Sequence, residues 1–149
     1  MLNTTLAAAL GSLGFAVIFN IKGKKLFYAF LGGGISWFVY QICLLLNIPP
    51  IVGFFISSVC CSIYAEIFAR ILKTPVTTLI VCCLIPLVPG AGMYNTMYEV
   101  VLGNIDKGLE LAISTISSAG ILALGLIFVS TITRHLRNKP KIIHNKKED

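Results

Sequence analysis

An apolar stretch long enough to cross a membrane is interrupted, midway along this chain, by Ile85-Pro86-Leu87-Val88-Pro89-Gly90-Ala91-Gly92. Each proline removes a backbone donor and clashes with the preceding turn, and the glycines supply freedom for the chain to leave helical geometry. In hydrocarbon a freed carbonyl or amide is tolerated only where protein, water or a ligand satisfies it. A break at that depth therefore implies a packed interior or a cavity, and in membrane proteins such breaks often mark where a solute binds.

Composition sets the class. With 56% hydrophobic and 12% charged residues and a mean hydropathy of +0.88, the 149 residues cannot clothe a normal water-facing surface. The reading is an all-α, polytopic membrane protein. A net charge of +6 does not point to nucleic acid, because the lysines and arginines lie in short turns and a tail, without interleaved aromatics. The cysteines Cys43, Cys60, Cys61, Cys82 and Cys83 fall in apolar segments with no metal-ligand spacing to His135 or His144. They read as small buried apolar residues, and neither metal nor cofactor is expected.

Five spans can be drawn, at about 2–20, 26–46, 50–72, 76–103 and 109–133, each near or above the roughly 20 residues a bilayer core requires. They make one transmembrane domain over 1–134, followed by a basic tail over 135–149. The first span lacks the basic leader of a secretory signal and is expected to be retained. Lys22, Lys24 and Lys25 follow the first span, Arg70 and Lys73 close the third, and Arg134, Arg137, Lys139, Lys141, Lys146 and Lys147 follow the fifth. Only Lys107 falls on the other side, beside Asp106 and Glu110. The positive-inside rule then puts the N-terminus outside and the tail in the cytoplasm of a multi-pass protein of the cell membrane.

Small residues mark where helices can approach: Ala7, Gly11 and Gly14, then Gly32 to Gly34, then Ser114, Ser117, Ser118 and Gly125. The serine face of the last span reads either as packing or as part of a polar path, and Asn20 and Gln41 are open in the same way. Glu66 and Arg70, four apart on one helical face, read as an ion pair, either sparing two charges from lipid or acting as a gate. Glu99 lies on the outer half of the broken span and reads as facing external water. Tyr94 and Tyr98 fit interfacial anchors and cavity lining equally.

As one straight helix, residues 76–103 would measure about 42 Å at about 1.5 Å per residue, against a core of about 30 Å. Two half-helices are expected. If the second begins near Gly92, its first amides and positive dipole end face the membrane centre and suit a carboxylate. The candidate solute site is then Pro86, Pro89, Gly90, Ala91, Gly92, Tyr94 and Asn95. The alternative is a proline kink used for packing.

Phe15-Ala16-Val17-Ile18-Phe19-Asn20 before a basic turn, Ala69-Arg70 near Lys73-Thr74-Pro75, and above all Ile85-Pro86-Leu87-Val88-Pro89-Gly90 followed by Tyr94 resemble the threonine/serine exporter family. The likeness covers nearly all of the chain and is greatest to the small, membrane-only subunit of the split bacterial exporters. The resemblance implies efflux of a small carboxylate metabolite, either threonine and serine or a dicarboxylate such as succinate. It also implies a larger partner subunit with a cytoplasmic domain and its own spans.

An odd number of spans beginning outside would be complemented by a partner of inverted topology around a midplane site. The expected function is therefore the membrane subunit of a secondary exporter. The alternative is a non-transporting subunit that assembles or stabilises a membrane complex. An enzyme is not expected: the spans hold no Ser/His pair and no paired carboxylates, and no nucleotide-binding loop is present.

Overall fold

The computed structural model describes residues 1–137, and the regular structure among them is entirely helical. In chain order the helices are α1 (Leu2–Ile18), α2 (Lys24–Leu45), α3 (Pro50–Ile71), α4 (Val76–Leu84), a 3-10 turn (Ile85–Leu87), α5 (Gly90–Val101) and α6 (Ile105–Arg137). α1 packs on α2, α2 on α3, and α4 across both α2 and α3; α6 packs on α3 and α5. The first three helices run antiparallel to their neighbours. Gln41 Nε2 donates to Thr4 Oγ1, and Tyr64 OH donates to the Tyr28 carbonyl at 2.8 Å, tying opposite ends of the consecutive helices together.

Three helices, α2, α3 and α6, are each long and apolar enough to cross a membrane, and the α4–α5 pair makes a fourth crossing if counted as one bent span. α1 is apolar but has 17 residues, short of the expected 2–20. The shortening has a local cause: Asn20 takes a left-handed conformation with φ of 56° and ends the helix. Its N–H donates to the Val17 carbonyl at 2.9 Å and that of Ile21 to Ala16 at 3.0 Å, the paired bonds of a Schellman cap. Asn47 closes α2 in the same way, Lys73 closes α3 and Gly103 closes α5. Thus Asn20, open in the sequence, is a cap. At the other end of the chain α6 continues through Arg137, so the first residues of the expected tail are helical. Lys139, Lys141, His144, Lys146 and Lys147 lie outside the described residues.

The interior is built from small side chains. Ala16, Ala29, Ala65 and Ala69 pack with Leu79 and Cys82, and Cys43, Cys61 and Cys83 are buried too, as expected of small apolar residues, whereas Cys60 is only half-buried. Lipid tails are as apolar as leucine, so helices associate through close packing and interhelical hydrogen bonds rather than through the hydrophobic effect. Buried Ser36 donates to the Gly32 carbonyl at 2.7 Å, Ser57 donates to the Ser36 carbonyl of the neighbouring helix, and Ser58 donates to Phe55 at 2.8 Å. Glycines set the closest approaches. A Cβ on Gly33 would overlap the Ser12 side chain, one on Gly32 would overlap Cys83 and lie 2.7 Å from the Tyr64 ring, and one on Gly125 would overlap Ser58.

Candidate functional site

The break forms where covalent chemistry requires it. Pro86 leaves the Cys82 carbonyl without its helical donor, and Pro89 does the same to Ile85. The chain responds with the 3-10 turn, in which the Val88 N–H is shared between Leu84 at 3.2 Å and Ile85 at 3.3 Å. Pro89 then sits at φ −75°, ψ 56°, with the Gly90 N–H donating to the Val88 carbonyl at 2.7 Å. That is an inverse γ-turn. The first bond of α5 runs from Met93 N–H to the Pro89 carbonyl at 3.2 Å, so α5 begins at Gly90 rather than near Gly92, and it leaves α4 at 50° without reversing. With no side-chain cap, the N–H groups of Ala91 and Gly92 are the two first-turn donors that the helix itself leaves unpaired.

The sequence candidates separate into distinct places. Pro86 lines a cavity of about 280 Å³ with Thr4, Ala7, Ala8 and Trp37, between α1, α2 and the break. Gly90 has open space where a Cβ would stand, whereas Gly92 is the point at which α5 touches α6: its Cβ would lie 2.5 Å from Thr115 Oγ1. Tyr94 is 68% exposed and stacks on Tyr98 with ring centroids 6.2 Å apart; Asn95 is exposed on the same helix. No residue of α5 is buried. Glu99 does not simply face solvent: it pairs with Lys107 at 2.6 Å and accepts from Asn104 at 2.9 Å, closing the α5–α6 turn.

Glu66 and Arg70 lie at the opposite, basic end of the bundle, where Arg70 donates to Glu66 at 3.1 Å as the spacing of four predicts. They border a second cavity that also includes Lys73 and Arg134. The serine face of α6 presents few free donors, because Ser117 and Ser118 turn their hydroxyls back to the Ile113 and Ser114 carbonyls at 2.7 and 2.9 Å.

Trp37 is the residue that sequence reasoning passed over. Its indole Nε1 is buried and has no acceptor among the described residues, as is the Gln41 Oε1 one turn further on without a donor. A buried polar atom left unpaired costs about 1–3 kcal/mol, and here it stands in the helix that borders the break. A signal was present: this is the chain's single tryptophan, four residues after Gly33 and on the same face.

The break, an exposed second half-helix and an unsatisfied polar interior on small-residue helices are features of a solute-handling membrane protein. No curated protein and no solved structure matches the chain. The family model described as Threonine/Serine exporter, ThrE, matches residues 4–132, which takes in α2 to α5, the whole of the break and most of α1 and α6, and on that extent the chain belongs to the threonine/serine exporter family.

Proposed function

We propose that the chain is the membrane subunit of a secondary exporter that carries a small carboxylate metabolite out of the cell together with a larger membrane subunit. The solute is threonine or serine, or a dicarboxylate such as succinate. The observation that carries this reading is the break: two unpaired amides at the positive end of α5, next in sequence to a cavity bordered by Pro86 and Trp37. Such amides bind carboxylates without needing a charged side chain. Pro86, Pro89, Gly90, Ala91 and Gly92 shape the site, and Tyr94 and Asn95 face the partner or the solute path. Because α5 buries no residue in this chain, the second half of the site is supplied by the larger subunit. The test is efflux of labelled threonine, serine and succinate from cells expressing the chain with and without that subunit, with export expected only from the pair.

The exposed α5 also favours a second reading, a stabilising subunit that does not itself touch solute. Substituting the break separates the two, since an assembly subunit would retain full export.

In the proposed topology α1 is the first of five crossings, the N-terminus is outside and the basic end is cytoplasmic. Cysteines introduced at Lys24 and Asp106 in a background without native cysteines test this with an impermeant thiol reagent on intact cells. Lys24→Cys should be protected and Asp106→Cys labelled. Labelling of both from outside would contradict five crossings.

A further inference from the structure

At the basic end of the bundle, the last turn of α3, the Leu72–Pro75 connection and the end of α6 surround a cavity of about 620 Å³. It is bordered by Arg70, Lys73, Thr74 and Arg134, with Glu66 and Ser130. Three cations against one carboxylate leave an excess of two positive charges. Glu66 engages one nitrogen of Arg70, and a guanidinium carries five N–H donors, so most of its capacity remains. The other described acidic residues, Glu99, Asp106 and Glu110, lie at or beyond the end of α5, at the far end of α6. Glu99 is already paired with Lys107.

Two observations indicate that this excess is arranged rather than incidental. Lys73 occupies the left-handed cap position of α3, with φ of 49°. The equivalent positions after α1, α2 and α5 hold Asn20, Asn47 and Gly103, the residue types that tolerate this conformation. A lysine there runs against backbone preference and places a cation in the cavity wall. The hydroxyl of Thr74, the next residue, is buried without a hydrogen-bond partner among the described residues. Ser130 does not substitute for it, since its hydroxyl donates to the Leu126 carbonyl at 2.9 Å.

We propose that this cavity is an oxyanion-binding site in which Arg70, Lys73 and Arg134, with the Thr74 hydroxyl, hold a carboxylate or phosphate group. Guanidinium and ammonium donors meet oxyanions through charge-assisted hydrogen bonds. The shared chemistry admits two sources, a small anion in solution and the phosphate of an anionic lipid headgroup. The site stands on its own charge and shape; only the assignment of the anion as cargo awaiting export rests on the function proposed above.

The test uses the full chain in nanodiscs of zwitterionic lipid, with succinate, inorganic phosphate or a short-chain phosphatidylglycerol as the probe. Lys73→Asn combined with Arg134→Gln removes two cations. Asparagine is the residue the chain itself uses at two equivalent caps, so thermal unfolding of the variant without anion should be unchanged or raised. The unaltered protein should bind at least one probe, more weakly as salt is added, and the variant should lose at least tenfold in affinity. Binding of phosphatidylglycerol alone identifies a headgroup site, and binding of succinate or phosphate identifies a small-anion site. Failure of all three probes to bind, or equal binding by the variant, would overturn the proposal. Because the readout is binding at the basic end, it is unaffected by substitutions at Pro89 and Gly90, and the two readings can fail separately.

Discussion

Replacing Pro89 by alanine together with Gly90 by leucine is expected to reduce export at least tenfold while the protein remains in the membrane. Alanine restores the α-helical donor that Pro89 denies the Ile85 carbonyl, which now only shares the Val88 N–H, and leucine favours a helix over glycine by roughly 0.8 kcal/mol. Both changes remove the inverse γ-turn whose bond joins Gly90 to Val88. The side chain has room, because nothing lies within 4 Å of a Cβ built on Gly90. Straightening the 50° bend would swing the far end of a helix about 18 Å long by about 15 Å, and would pair or cover the amides of Ala91 and Gly92. Gly90→Leu alone is the milder companion: it keeps both prolines and the bend, and should reduce export by obstructing the same amides. Efflux per membrane-inserted protein is the quantity to compare, and analogues lacking the carboxylate should be poor substrates of the unaltered protein. Unchanged efflux by the double variant would make the break a packing kink.

The second large effect is expected at Gly33, and it acts on assembly. Gly33 is buried, and a Cβ there would overlap Ser12 of α1 and lie 3.5 Å from Pro86 Cγ. One residue therefore sets the approach of α1, α2 and the break. Alanine forces the α1 backbone outward at a cost of about 1–3 kcal/mol, the usual range for overpacking. Leucine cannot be accommodated by a shift of a few tenths of an ångström and should abolish the folded protein. The check is thermal unfolding in detergent for Gly33→Ala and membrane abundance for Gly33→Leu. Gly14→Ala, where a Cβ meets nothing within 4 Å, is the control and should behave as the unaltered protein.

What the sequence made legible follows from which signals are covalent. The position of the break was readable because proline lacks an N–H wherever it stands, and the clustering of basic residues was readable as charge. The direction and size of the bend were not, since α5 is held by Gly92 against Thr115 and by the Gly103 cap and Glu99–Lys107 pair that turn the chain into α6. Those are contacts between segments. The early end of α1 was written in Asn20, but an asparagine at a helix end reads as readily as a polar residue at a membrane surface. Lys73 was opaque for the opposite reason: backbone preference argues against the cap it forms. The serines of α6 showed a polar face, yet Ser117 and Ser118 spend their protons on their own helix, which periodicity does not reveal. Of the candidate residues at the break only Pro86 borders a cavity, whereas Glu66 and Arg70 both border the one at the basic end.

Export itself is read most directly in proteoliposomes loaded with labelled threonine, serine and succinate and reconstituted with this chain, with the larger subunit, or with both. The pair should release at least one of these carboxylates well above the rate of protein-free vesicles, and should lose that release with the Pro89→Ala, Gly90→Leu chain. Release by the larger subunit alone at the full rate of the pair, or by the pair carrying the altered break, would contradict a solute site in this chain.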